Sequence, residues 1–172
     1  MAVAAVIPVM HEQTLGKDLM DRLRAVKLDG WYPIGLLLDA MDRLDERVGR
    51  FGLIAMGRKL FELSHAEEFK KVATSAADVV YGIDAMYHRA NRGHAIGGWE
   101  VVAFRPGEAV LVKTTPHHCV MEEGILSEAF RTLGIPTTVQ QRECLRQGAD
   151  HCRYALHSPV SDDKWMGGRP PQ

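Results

Sequence analysis

Cysteine is scarce in this chain, with three among 172 residues, and aromatic side chains make up only 7%. So few cysteines exclude a scaffold framed by several disulfides. A dominant charge is missing as well: 21 Lys and Arg stand against 22 Asp and Glu, for a formal charge of −1. Interleaved, nearly balanced charge leaves no footprint for nucleic acid and no basic face for a membrane surface. Long apolar runs are absent too. Residues 1–10 are apolar but carry no basic residue ahead of the run, and His11 and Glu12 end it well short of a membrane span. The expectation is a cytoplasmic chain in a reducing setting. Also missing are a Gly-rich phosphate loop, a Gly-x-Ser-x-Gly elbow and a His-Glu-x-x-His pair, which argues against nucleotide, hydrolase and zinc-protease chemistry. Glu67-Glu68 and Glu122-Glu123 are adjacent pairs that a helix turns in different directions, so solvated carboxylates are expected there.

What is present is enough apolar content, 46% of the chain, to bury one core. The first half has helical periodicity. Residues 17–28 carry Leu19, Leu23 and Val26 before a stop at Asp29-Gly30. Pro33 opens a second helix with Ile34, Leu37, Leu38, Met41 and Leu44 on one stripe, ending near Gly49. A third covers 52–63 and contains Gly57. The longest is expected to run unbroken from Ala66 to Arg92, with Phe69, Val72, Val80, Ile83 and Tyr87 inward.

After Gly97-Gly98 the period becomes that of strands. Residues 99–104 and 109–115 form an expected hairpin around Pro106-Gly107, a helix over 122–133 follows, and 137–145 with 153–157 make a second hairpin around Gly148. The predicted fold class is α+β: N-terminal helices packed on an antiparallel sheet built from two hairpins joined by a helix. One domain is expected over 1–157. Residues 158–172 gather Pro159, Gly167, Gly168, Pro170 and Pro171 and read as a flexible tail, ordered only by another chain.

Chemistry concentrates in the last third. Cys119, Cys144 and Cys152 lie beside His117, His118 and His151. Thiolate and imidazole together suit a tetrahedral zinc ion. Cys144 and Cys152 also flank a turn across which a disulfide forms in an oxidising compartment, and free cysteine is often simply buried.

The run Glu143-Cys144-Leu145-Arg146-Gln147-Gly148-Ala149-Asp150-His151-Cys152-Arg153-Tyr154, together with Gly98-Trp99, Pro116 through Cys119 and Glu123-Gly124-Ile125, resembles the 4-vinyl reductase-like domain. That family is grouped with the haem nitric-oxide-binding and TRAPP trafficking-subunit folds, and the resemblance covers about 66–157. It implies a structural zinc held by Cys119, Cys144 and Cys152. The family's glutamate three residues before the second cysteine is Gln141 here, a poor ligand, so the fourth place falls to His118, His117, His151 or Glu143, and His118 is the expected donor. The resemblance also implies that Trp99 contacts an apolar or aromatic small molecule. Tyr87, His88, Phe104 and Phe130 are the other expected lining residues of a mostly apolar cavity. The family's second histidine anchor is absent, with Lys70, Lys71 and Val72 in its place, so phenol is not implied.

The functional expectation is a stand-alone small-molecule sensor or carrier without an output domain, any signal passing to a separate signalling partner. A rival is haem or another tetrapyrrole, with His88 or His94 as axial ligand and eight methionines suited to a broad flat molecule. Against it, neither Tyr-x-Ser-x-Arg nor Cys-x-x-Cys-His is present. A third expectation is an interaction module, a homodimer formed through residues 2–9.

Overall fold

A computed structural model of the chain describes residues 15–27 and 30–168. Four helices come first: α1 (Lys17–Arg24), α2 (Gly35–Ser64), α3 (Ala66–Val72) and α4 (Ala76–Ala90). Then follow β1 (Trp99–Arg105), β2 (Glu108–Lys113), α5 (Cys119–Thr132), β3 (Thr138–Glu143), a 3₁₀ turn (Leu145–Gln147), β4 (Cys152–His157) and α6 (Asp163–Met166). All strand pairs are antiparallel, in the order β1-β2-β4-β3. The expected α+β class is therefore the observed one, two hairpins joined by a helix. Among the described residues no helix is long and apolar enough to cross a membrane.

Two breaks in the helical half follow from local chemistry. In α2 the backbone leaves helical geometry at Gly49 (φ 62°, ψ −178°), a conformation that residues with a Cβ avoid. The single helix expected over 66–92 is instead α3 and α4, separated at Ala73–Ser75. The cause is a capping box. Asp78 Oδ2 accepts from the backbone N–H groups of Thr74 (2.9 Å) and Ser75 (3.0 Å), while Ser75 Oγ accepts from the Asp78 N–H. Donors at the start of a helix satisfied in this way fix a new N-terminus where an apolar stripe alone reads as continuous.

The core has two parts. Leu19 and Leu23 of α1 pack with Met41, Leu44, Leu53 and Leu60 of α2 and with Met121 of α5. Val80, Ile83 and Tyr87 of α4 pack with the inward sheet residues Phe104, Leu111, Tyr154 and Leu156 and with Leu126 and Phe130 of α5. Helix α5 thus serves both parts, and it reaches α2 at a glycine-to-glycine crossing. A Cβ at Gly57 would overlap the Met121 carbonyl oxygen, and one at Gly124 would overlap the Ile54 carbonyl oxygen. The two backbones touch where only hydrogen fits.

The predicted flexible tail is corrected over 158–168. Trp165 is fully buried between Phe104 and Phe130, each ring centroid 5.9 Å away and the planes within 10° of parallel. Its indole Nε1 donates to the Arg105 carbonyl at 2.7 Å, and Asp162 caps the short α6 through the Lys164 N–H. One large apolar anchor with its polar atom satisfied holds the segment on its own chain. Residues 2–9, the expected dimer segment, lie outside the described residues.

Gly124→Ala is expected to cost about 1–3 kcal/mol through overpacking. Gly82→Ala in α4, where an added Cβ meets nothing within 4 Å, is expected to be neutral or to stabilise by up to about 1 kcal/mol. Trp165→Ala is expected to cost about 3–5 kcal/mol. Urea midpoints of the three variants check these values, and an unchanged midpoint for Trp165→Ala would restore the mobile tail.

Candidate functional site: a cleft, a buried charge cluster and three thiols

A cavity of about 620 Å³ opens between the N-terminal helices and the α3–α4 pair. One wall comes from the α1–α2 connection and the start of α2, with Trp31, Tyr32, Pro33, Ile34 and Leu37. Ser64 and His65 stand at its α2 end, Phe69 and Val72 come from α3, and Met86, Arg89 and Arg92 from α4 and just beyond. Burial lowers the pKa of His65, so its imidazole is neutral near pH 7 and offers a nitrogen lone pair. Ser64 Oγ is buried and has no hydrogen-bond partner among the described residues. The Arg92 guanidinium lies 3.9 Å above the Trp31 ring centroid.

Within electrostatic reach of His65 is a cluster of buried charge. Lys113 of β2 has a fully buried side chain whose Nζ donates to the His117 carbonyl at 2.7 Å and lies 3.9 Å from Glu122 Oε1. His117 Nδ1 is 3.2 Å from the same oxygen, while its Nε2 is buried without a partner among the described residues. Burial works against ionisation of Glu122, but Lys113 and the His117 hydrogen bond outweigh it and hold the carboxyl below its ordinary range. Glu122 and Glu123 are therefore buried, not solvated as expected. The glycine crossing presses this face of α5 against α2, where Glu123 pairs with Arg50 at 2.6 Å. Glu67 and Glu68 are solvent-side partners of Lys70 and Lys71, as expected.

The third feature is the thiol cluster. The sulfurs of Cys119, Cys144 and Cys152 are all buried and lie within 4.8 Å of one another, Cys119 to Cys144 at 2.9 Å. Cys119 starts α5, and Cys144 and Cys152 flank the 3₁₀ turn, so one helix end and one hairpin end converge. The Cys119 hydrogen bond lowers Cys152 to about 7, while that contact and burial push the Cys119 thiol up. The Leu145 N–H donates to the Cys152 sulfur at 3.3 Å. His118 does not join the sulfurs. Its Nε2 is 3.1 Å from Asp45 Oδ2 of α2, close but not aligned for a hydrogen bond. His151 faces Glu143 and His117 faces Glu122.

The expected ligand-contact residues lie away from the large cavity. Phe104 and Phe130 sandwich Trp165 in the solid core. Tyr87 is buried, donates to the Ile96 carbonyl at 2.6 Å and has its pKa pushed up to about 12 by burial. Trp99 and His88 border a smaller, shallow depression of about 340 Å³, and His88 sits 3.4 Å from Asp84. His94 is exposed. His65, which the structure places on the large cavity beside Arg89 and Arg92, carries no distinctive sequence signal, whereas the two arginines near His88 read in the sequence as able to bind an anion or, more commonly, as a solvated helix end. A lone histidine between two helices is a common surface pattern; of the α3 stripe expected inward, Phe69 packs against the core while Val72 is 71% exposed.

No protein-family model matches the chain. No curated protein matches it. Solved structures do share its fold. An H-NOX protein from S. oneidensis in the Fe(II) ligation state is 15% identical with TM-score 0.65, over 94% of this chain and 98% of that one. The Fe(II)NO state of an H-NOX protein from S. oneidensis is 17% identical with TM-score 0.63, over 91% and 97%. An Fe(II) unliganded H-NOX protein from K. algicida is 9% identical with TM-score 0.64, over 91% and 94%. At such identities the likeness establishes the fold. The 4-vinyl reductase-like assignment is corrected accordingly, because the fold's solved counterparts are haem NO/oxygen-binding domains and no family model supports the other family.

Glu122→Gln leaves Lys113 buried without its counter-charge and is expected to cost about 3–5 kcal/mol. The double variant Lys113→Met, Glu122→Gln is expected to recover most of that loss, as a double-mutant cycle measures. Because Glu122 titrates lower folded than unfolded, its contribution is complete above the ordinary carboxylate range and lost as pH falls through the lowered value. Acid unfolding of wild type should therefore be steeper than that of the double variant.

Proposed function

We propose that this chain is a haem- or tetrapyrrole-binding domain whose ligand occupies the cavity between α2, α3 and α4, where His65 would hold the iron of a bound haem. The observation that carries the reading is a neutral, half-buried imidazole on the wall of a mostly apolar cavity of about 620 Å³. Small-molecule sites span roughly 300–1,000 Å³, so the space is adequate for a broad ligand. The residues present fit the group. A neutral histidine nitrogen suits iron, the walls of Phe69, Leu37 and Met86 suit the face of a macrocycle, and Ser64 Oγ is a buried polar atom with no hydrogen-bond partner among the described residues. The shared fold of the iron-loaded H-NOX proteins supports the same reading. Bound there, haem would supply an iron able to take a diatomic gas. The protein orients the imidazole, excludes water with the apolar walls and holds Glu122 where its charge is felt by the ring. His65 replaces His88 and His94 in this role because those two border a shallow depression and open solvent.

Protein produced with haem supply is expected to show an intense Soret band that shifts under carbon monoxide after reduction. His65→Ala is expected to weaken haem binding by about tenfold or more, ~1.4 kcal/mol, with recovery on adding imidazole. A colourless wild-type protein that also fails to take up haem in titration would end the proposal.

A second, separate reading concerns the thiols. Three buried sulfurs within 4.8 Å supply three of the four donors that tetrahedral zinc takes. Metal analysis of protein grown with zinc is expected to give one equivalent in wild type and a loss in Cys144→Ser. Wild type without zinc would leave the cysteines as core thiols.

A further inference from the structure

The cleft has a chemical polarity that the haem reading does not require. Its deep walls are aliphatic and aromatic, while one rim carries Arg89 from the last turn of α4 and Arg92 just beyond. The carboxylate on the same wall, Glu68, is taken up by Lys71 Nζ at 2.5 Å. Neither Arg89 nor Arg92 forms an ion pair among the described residues. With His65 neutral, the rim therefore presents two cations that no other described group on the wall offsets.

Arg92 is also held in place. Its guanidinium stacks on the Trp31 ring at 3.9 Å, and Trp31 is itself half exposed at the mouth. Stacking occupies the face of the guanidinium and leaves its N–H edge free, which is the edge that grips a carboxylate in bidentate fashion. A stacked arginine loses little further rotamer freedom on binding. Arg89 is near enough to His65 for its charge to depress protonation of that ring, so one cation lies within electrostatic range of the imidazole.

From this arrangement we infer that the cleft selects an anionic amphiphile: a flat apolar body in the deep part, with one or more carboxylates at the rim read by Arg89 and Arg92. The inference rests on the haem or tetrapyrrole reading and adds to it which edge of the ligand faces out and which residues hold that edge. Arg89, in the last turn of α4, and Arg92, just beyond it, make the carboxylate contact.

The experiment compares two probes on the full chain, haem and haem dimethyl ester, whose carboxylates are masked and whose iron and macrocycle are unchanged. Binding is read from the absorption titration. Wild type is expected to bind the ester about tenfold more weakly than the acid, a difference that shrinks with added salt. Arg89→Gln, Arg92→Gln is expected to bind the acid as weakly as wild type binds the ester, with affinity for the ester unchanged. Lys59→Gln, Lys70→Gln removes the same charge away from the rim and is expected to keep the wild-type preference. Matching melting temperatures establish that the variants fold.

Equal affinity of wild type for acid and ester overturns the inference while leaving haem binding intact. So does an undiminished preference in the arginine variant. Failure of both probes to bind removes the haem reading, and the rim assignment with it.

Discussion

The contact on which the buried charge cluster and the thiol cluster depend is the meeting of α2 and α5 at Gly57 and Gly124. Each helix presents a backbone carbonyl where the other would carry a Cβ, so the axes come closer than ordinary side chains permit. That closeness presses Met121 into the N-terminal core and buries Glu122 and Glu123. It also sets His118 against Asp45 and lays the start of α5, with Cys119, where the β3–β4 turn can reach it. A methyl group at either glycine separates the surfaces on which these contacts rest.

Burying Glu122 has an electrostatic consequence. An ionised carboxylate away from water persists only with compensating partners, and here Lys113 and His117 supply them. The resulting cluster is a fixed polar backing in an otherwise apolar region. His65, on the wall of the cleft, is desolvated enough to stay neutral yet lies within electrostatic reach of Glu122.

Much of the architecture was legible in the chain. The change from a 3.6-residue to a two-residue period near Gly98 located the boundary between helices and sheet, and turn residues at Gly107 and Gly148 gave both hairpins. The missed break between α3 and α4 lay in Ser75 and Asp78, a capping box embedded in a stripe whose spacing continues across it. Trp165 was missed because its neighbours are glycine, proline and charge, a composition that says nothing about a single side chain filling a slot between two phenylalanines.

Composition and periodicity by themselves determined the α+β class and the succession of a helical half and two hairpins joined by a helix, because these follow from local spacing and the tendency of apolar side chains to leave water. The clustering of three cysteines was written in the chain as residue types, but their convergence within 4.8 Å was decided by how α5 and the last hairpin pack. Only the tertiary structure placed His65 on the larger cavity and His88 and Trp99 on the smaller depression. A cavity is a property of surfaces brought together from distant parts of the chain, and no local pattern records the space that those surfaces leave unfilled.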